Sequence, residues 1–524
     1  MTHDLDPARR ERLDGLTSWH ADWAGLRVVV LGLGVTGFAV ADTLTELGAE
    51  VLVVAPAVDD DRAELLSLLG ARLLLAPSDA APPAELDAVD ADLVVISPGF
   101  APHHPWSTWA AGSGAAVWGD VELAWRVRDK VPGRTADWLL VTGTNGKTTT
   151  TQLTAAMVLA DGRRVAPCGN IGVPVLDAVR DPEGFDVLVV ELSSHQLHQL
   201  PTSGPGALRP VASTCLNLEA DHLEWHGSFE AYRDAKAKVY ENTVVAAVWS
   251  KEDDATRRMV EDADVVEGCR AVGFGLGAPG PSELGLVASD DSAVLVDRAF
   301  LDDRRHRALE LTTLAAAEEV GLGADHLLLD VLAAAALARA VGVEPAAIRD
   351  AVAAFRVDRH RTEVVARAAG VTWVDDSKAT NPHAAQASLA AFPSVVWLVG
   401  GLLKGVDPDP LVEGAVRSGR LRAAVLLGVD RSELRAAFAR HAPELPVLEV
   451  DETQTGRVMP TAVRLAAGLA HGGDAVLLAP AAASMDQFTD YAARGRSFAE
   501  AVHEHLGGDA DGETVDRTPA TPVD

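Results

Sequence analysis

Short apolar runs alternate along this chain with alanine-rich segments of helical period, the pattern of parallel α/β domains. Arg27–Leu31 is an apolar strand that runs through a glycine turn into a helix reaching Leu47, and Val51–Val54 and Leu93–Ile96 are the next strands. Tryptophan, proline and glycine crowd residues 101–119, which with the loop Val131–Thr135 marks a boundary near residue 120. A second unit follows, with strands at 138–141, 187–190 and 211–216, a helix at 327–342 and a shorter one at 345–355. Its segment 278–325 is polar, acidic and poorly periodic, and reads as variable excursions. A third unit begins near Val357, with strands around 371–374, 395–399, 423–427 and 475–478. Small, polar and acidic residues dominate the end of the chain, as in a disordered tail. The expected division is therefore 1–119, 120–357 and 358–507, followed by a tail at 508–524.

A length of 524 residues suits two to four domains, and a hydrophobic share of 48% is enough for several cores. The formal charge of −31 argues against general binding to nucleic acid or to an anionic membrane. A phosphate-rich ligand must then be captured locally, which is feasible because charges beyond about 8 Å are largely screened at physiological salt. Cys168, Cys215 and Cys269 are odd in number and lack paired ligand spacing, which favours a reducing compartment over a disulfide scaffold or zinc site. Met1–Leu16 is charged and has no apolar core, so it does not read as a secretory signal. The longest apolar stretch, Leu327–Val343, is interrupted by Asp330 and Arg339, so no membrane span and a cytoplasmic location are expected.

Lysine is scarce: seven residues against 38 arginines. One lies in Thr142-Gly143-Thr144-Asn145-Gly146-Lys147-Thr148-Thr149, directly after the apolar run Trp138–Val141. Strand, glycine turn, lysine and hydroxyl are the parts of a nucleotide phosphate cradle. The turn points N–H groups at phosphate, the lysine adds a point charge, and the hydroxyl can hold Mg²⁺. Val141 stands where the full eight-residue pattern has glycine, so the loop is a variant. The earlier glycines, Gly32, Gly34 and Gly37, suggest a dinucleotide site, yet the second strand ends Val54-Ala55-Pro56 without the acidic residue that would hold a ribose. A helix N-terminus receiving another phosphate, such as a nucleotide diphosphate, is preferred, with simple close packing as the alternative.

Other chemistry gathers at the carboxyl ends of strands, where open parallel sheets bind ligands. Glu191 follows Val187–Val190 and can reach Mg²⁺ beside phosphates, and Asp221-His222 follow the strand at 211–216. Tyr232, Lys236 and Tyr240 recur at four-residue spacing on one helix face. The third unit presents Asp375-Asp376-Ser377-Lys378-Ala379-Thr380-Asn381, then Gly400-Gly401-Leu402-Leu403-Lys404-Gly405, then Ala481-Ala482-Ala483-Ser484-Met485-Asp486, each after a strand. Four of the seven lysines thus sit in motifs.

These motifs, taken in order with Ser97-Pro98-Gly99, Gly169-Asn170-Ile171-Gly172, Glu191-Leu192-Ser193-Ser194, Asp221-His222-Leu223, His360-Arg361 and Ser484–Tyr491, resemble the Mur ligases. The third unit has no Asp-Asn-Pro-Arg element, which points to the glutamate-adding branch rather than the diamino-acid-adding one. The resemblance implies three α/β domains: a Rossmann-like N-terminal domain for the uridine nucleotide, a central P-loop ATPase and a Rossmann-like C-terminal domain for the amino acid. It implies an ATP-dependent, acyl-phosphate ligation of D-glutamate to UDP-N-acetylmuramoyl-L-alanine by a monomer. Gly143, Thr144, Asn145, Gly146, Lys147, Thr148 and Thr149, with Arg361 and Asp376, would hold ATP. Thr148 and Glu191 would hold one Mg²⁺, and His222 with Lys236 as its CO₂ adduct a second. Thr36 and Gly99 would touch the uridine diphosphate, Asn170, Ser193 and Gln196 the muramoyl part, and Lys378, Thr380, Lys404, Ser484, Met485 and Tyr491 the D-glutamate. Lys147, His222, Lys236 and Lys378 would be the catalytic set. The chain departs from the family pattern at His195, Tyr491 and the His326-Leu327…Asp330 segment, where an adenine contact is usual. A P-loop switch or motor and a folylpolyglutamate-type ligase are the rival readings, and the glycine turn at 32–37 argues against the second.

Overall fold

The computed structural model describes residues 6–58, 60–77, 81–288, 293–356, 359–452 and 454–508. The first of its three sheets contains β1 (Arg27–Leu31), β2 (Glu50–Ala55), β3 (Arg72–Leu75), β4 (Leu93–Ile96) and β5 (Ala116–Trp118), all parallel, in the order β3-β2-β1-β4-β5. The stretch 101–119, expected to close the first domain ahead of a boundary near 120, is part of this layer. Pro105 opens a helix, Pro105–Gly112, whose start is capped by His104 Nδ1 accepting from Trp106 N at 3.1 Å. Trp106 is fully buried, so its large apolar side chain marks a core position and not a linker.

The second sheet contains β6 (Asp137–Thr142), β7 (Val165–Gly169), β8 (Val187–Glu191), β9 (Ala212–Cys215), β10 (Ala246–Ser250), β11 (Arg270–Phe274), β12 (Glu283–Ala288), β13 (Ala293–Asp297) and β14 (Leu309–Thr313). Their order is β14-β13-β12-β11-β10-β9-β6-β8-β7. The strands expected at 138–141, 187–190 and 211–216 are the neighbours β6, β8 and β9 toward one end of the sheet, buried on both faces, with continuous apolar runs in β6 and β8. The segment 278–325, expected as irregular excursions, supplies β12–β14, which pair antiparallel and extend the edge. Only a few of their residues reach the core, Leu284, Leu295 and Leu311 among them, so the apolar signal is thin. Helices Asp325–Ala340 and Pro345–Ala354 lie within two residues of their expected spans.

The third sheet contains β15 (Glu363–Ala368), β16 (Val371–Asp375), β17 (Val395–Gly400), β18 (Leu421–Leu427), β19 (Val447–Glu449) and β20 (Ala475–Leu478), in the order β15-β16-β20-β17-β18-β19. Only β15 runs antiparallel to its neighbour. Both faces are covered: Val395, Trp397 and Val399 of β17 join one apolar cluster, while Val396 and Leu398 join the other. That alternation is the two-residue period of a strand read through the core.

The first two sheets belong to one compact unit, made of the described residues up to 220 with Trp225–Arg356. Asp221–Glu224 group with the third sheet in another. Inside the first unit a single apolar cluster runs from Val28 and Leu44 to Leu140 and Val190. Arg180 adds ion pairs to Asp42 at 2.5 Å and Glu46 at 2.8 Å. The expected boundary at 357/358 and the tail from 509 onward lie outside the described residues. Among the described residues no helix is long and apolar enough to cross a membrane.

Candidate functional site

In the first sheet the strand order reverses at β1/β4, the crevice where open α/β sheets take ligands. The turn after β1 meets Ser97-Pro98-Gly99 there. A Cβ on Gly32, whose φ is +95°, would come within 2.8 Å of Ser97 Oγ, and one on Gly37 would strike the Gly32 carbonyl. The glycines therefore serve close packing and at the same time leave a bare helix start. Gly34 caps the helix Val35–Glu46 with no side-chain bond, so its first N–H groups, beside Thr36, are available to an anion. Arg62 Nη1 donates to Leu33 O at 3.3 Å and brings a cation to the same turn.

The loop after β6 is built the same way and held more tightly. Gly146, with φ +81°, caps the helix Lys147–Ala160 without a side-chain bond, and a Cβ there would run into the Asp330 carboxylate. Asn217, not singled out in the sequence, fixes the loop from both sides. Its Oδ1 accepts from Asn145 N at 2.8 Å and its Nδ2 donates to Asn145 O at 3.2 Å. Thr144 Oγ1 shares a hydrogen bond with Tyr232 OH at 2.8 Å, which ties the loop to the helix Phe229–Ala237. Lys147 Nζ is folded back on the carbonyls of Gly143 at 2.9 Å and Thr144 at 2.8 Å. Lys236 is 1% exposed and donates to Gly143 O at 2.7 Å and Thr142 Oγ1 at 3.3 Å. Two lysines thus converge on one glycine carbonyl. Of the lysine face expected from sequence, Tyr232 and Lys236 are buried against the phosphate loop, while Tyr240 lies beyond the helix end and its hydroxyl accepts from Cys215 N at 2.9 Å.

Glu191 ends β8 in register with Val141 of β6, one strand over from the loop. Its Oε1 accepts from Asn170 Nδ2 at 2.9 Å, while Oε2 is buried without a hydrogen-bond partner. An oriented carboxylate with one unsatisfied oxygen is a fitting hard ligand for Mg²⁺. Thr148 is buried in the first turn of the adjoining helix. Ser193 and Gln196 form a capping box, and Gln196 Nε2 also donates to buried Asp120 at 3.0 Å. Desolvation pushes the Asp120 carboxyl up to about 6. Asn170, Ser193 and Gln196 are thus tied into the framework, and Asn170 aims the carboxylate. His195, one of the departures from the family pattern, stacks on Trp225 with ring centres 4.4 Å apart. His222 belongs to the segment grouped with the third sheet and lies between Asp221 at 3.6 Å and Glu224 at 4.0 Å.

In the second unit the loops after β16, β17 and β20 converge at the central strands of the sheet. Leu402 and Ala483 exchange backbone hydrogen bonds at 2.9 and 3.0 Å, zipping two of the loops together. Ala481, at φ +59°, donates its N–H to Ala379 O at 2.9 Å and ties in the third. The Lys378 ammonium lies 3.9 Å from the centre of the Tyr491 ring, a cation–π contact. Ser377 Oγ donates to Tyr491 O at 2.7 Å. Ser484 is buried and Met485 is 73% exposed, so the two neighbours serve different surroundings. Lys404 has φ +54° at the tip of its loop, while Thr380 is half-buried beside Asn381, whose Oδ1 caps the next helix by accepting from Ala384 N at 2.9 Å. Asp376 is buried and accepts from Ser388 Oγ; desolvation pushes its carboxyl up to about 6, with the Arg361 charge acting in the opposite sense. His360 Nδ1 contacts Asp375 Oδ2 at 2.6 Å beneath this loop.

Residues 141–337 match the model of the Mur ligase middle domain, and residues 360–482 that of the Mur ligase glutamate ligase domain. The chain is 64% identical over 509 residues to the UDP-N-acetylmuramoylalanine–D-glutamate ligase of Leifsonia xyli, covering 96% of this chain and 97% of that one. It is 50% identical over 488 residues to the enzyme of the same name from Streptomyces coelicolor, covering 92% and 99%. In three dimensions it resembles the MurF ligase of Thermotoga maritima solved with ADP, at TM-score 0.54 and 19% identity over 93% of this chain and 96% of that one. A similar likeness holds for the UDP-N-acetylmuramate–alanine ligase of the same organism, at TM-score 0.53 and 20% identity over 92% and 100%.

Proposed function

Since the chain belongs to the UDP-N-acetylmuramoylalanine–D-glutamate ligase family, we propose that it joins D-glutamate to UDP-N-acetylmuramoyl-L-alanine at the expense of ATP, in peptidoglycan precursor synthesis. A carboxylate is a poor acyl donor. Transfer of the ATP γ-phosphoryl group to it makes an acyl phosphate; the amine then attacks the acyl carbon, the C–O bond to phosphate breaks, and the amine loses a proton. The chemistry needs positioning and charge neutralisation more than covalent help from the protein.

Within that reaction the amides of Gly143–Gly146 and the first turn at Lys147–Thr149 hold the ATP phosphates, Lys147 turning from its own loop toward them. Thr148 and Glu191 would hold one Mg²⁺. The family resemblance assigns a second to His222 and to Lys236 as its carbamate. When bound, the ions neutralise charge building on the phosphoryl oxygens. The single observation that carries this arrangement is Glu191 beside the phosphate loop, fixed through Oε1 and unpartnered at Oε2. Carbamylation changes Lys236 from a cation, which would repel Mg²⁺, into an oxygen ligand. One N–H remains to keep a bond to the loop. Arg361 and Asp376 contact the nucleotide, while Lys378, Thr380, Lys404, Ser484, Met485 and Tyr491 surround D-glutamate. Thr36 and Gly99 take the uridine diphosphate; Asn170, Ser193 and Gln196 line the muramoyl part. Domain limits at 119/120 and 357/358, a cytoplasmic location and a monomeric state complete the proposal.

A coupled phosphate-release assay tests it. Release should stay near background until ATP, the uridine substrate and D-glutamate are all present. Rapid release with ATP alone would instead identify a switch or motor.

A further inference from the structure

The helix Tyr491–Gly508 carries Arg494, whose charge is buried beneath the three converging loops of the second unit. Arg494 is 2% exposed, and all its hydrogen bonds go to neutral oxygens. Nε donates to Ser377 Oγ at 3.0 Å, Nη2 to Ser377 O at 3.0 Å, and both Nη1 and Nη2 to Ala482 O at 3.1 Å. Asp486 and Asp375 act on it through space without a hydrogen bond. Desolvation accordingly brings the guanidinium down to about 10. The backbone of the third loop also abuts it, since a Cβ on Gly401 would lie 3.3 Å from Nη1.

A cation kept in the interior without a paired carboxylate is costly, and an apolar side chain of similar volume would fill the space without that cost. What arginine adds is a rigid planar fork that fixes two loops at once, and a positive potential in a low-dielectric setting. Ser377 directly precedes Lys378, and Ala482 stands two residues before Ser484. We propose that Arg494 is a positioning residue of the amino-acid site, holding the loops after β16 and β20 in register for Lys378 and Ser484 and placing an unneutralised positive charge beneath a dicarboxylate ligand. This rests on the assignment of those loops to D-glutamate.

The test is steady-state kinetics of the full chain with D-glutamate and ATP varied separately. Arg494→Lys keeps the charge and loses the fork; Arg494→Met loses both. The KM for D-glutamate should rise about tenfold or more in the lysine variant and further in the methionine variant, with the KM for ATP unchanged within about twofold. Equal rises in both constants would reduce Arg494 to a general scaffold residue and overturn the proposal, as would an unchanged D-glutamate constant. Equal losses in the two variants would overturn its electrostatic half. If the methionine variant fails to fold, Arg494→Lys and Ser377→Ala, which removes one acceptor of the fork, decide the matter on the same split. Lys378→Ala separates the proposal from its premise: a D-glutamate KM left unmoved there overturns the site and the brace together, whereas a rise there without one in Arg494→Lys overturns the brace alone.

Discussion

The phosphate loop after β6 and the loop cluster of the third sheet both bind anions by proposal, yet they are built on opposite plans. The phosphate loop is made of backbone: glycines, a bare helix start and N–H groups whose direction is set by local geometry, with Asn217 copying a backbone partner on either side. The third-sheet cluster is made of side chains on separate loops, each weak in local preference, and holds its shape through Leu402–Ala483 pairing and one buried guanidinium. The phosphate loop offers the amides of one continuous turn, braced by Asn217 and Tyr232. The cluster offers side chains from three separate loops, so damage should spread differently in the two.

The sharpest break is Lys147→Ala, which removes the charge that meets the phosphates while the loop amides remain. A loss of about a hundredfold or more in ATP turnover is expected, with an unaltered circular-dichroism spectrum. Retained activity would remove the nucleotide assignment from this loop. Almost as large an effect is expected at Lys236. Arginine cannot be carbamylated because it stays protonated, so Lys236→Arg and Lys236→Ala should both be nearly inactive. Only the alanine variant leaves room for an added short carboxylate, and partial recovery with acetate or propionate should be confined to it.

Smaller and more selective losses belong to the side-chain cluster. Lys378→Ala and Ser484→Ala each remove one charge-assisted contact with a carboxylate, which corresponds to roughly 10- to 100-fold in the KM for D-glutamate and little in that for ATP. Equal changes in both constants would erase the contrast between the two regions. The mildest effect is in pH. Burial raises the Asp376 carboxyl to about 6, and only the ionised form accepts from a nucleotide hydroxyl with both oxygens. As pH falls through about 6 that acceptor is lost, so the KM for ATP should climb, and Asp376→Asn should flatten this limb of the profile. A limb unchanged in the variant would assign the titration elsewhere.

The same contrast explains what the sequence makes legible. Strands β1, β4, β6, β8, β17 and β20 are buried on both faces, read as continuous apolar runs, and end at loops whose glycines, lysines and carboxylates declare their chemistry. Arg494 gives no such signal, being one of 38 arginines and acting through contacts more than 100 residues away at Ser377. Asn217 is likewise invisible, since an isolated asparagine carries no pattern until the loop it mirrors is folded against it. The edge strands β12–β14 and the short β5 escape for another reason: each contributes few core residues, so composition outweighs period.

The antiparallel ribbon β12–β14 has a consequence beyond shape. Without it, β11 would present an open row of amides and carbonyls along a long parallel sheet, a template on which a second molecule could pair. The ribbon caps that row and is anchored from behind, where buried Asp297 of β13 meets Arg339 of the helix Asp325–Ala340 at 3.0 Å. Shortening this segment is expected to leave the ligand-binding loops in place and to expose β11 as a longer unpaired edge, with self-association in light scattering as the readout.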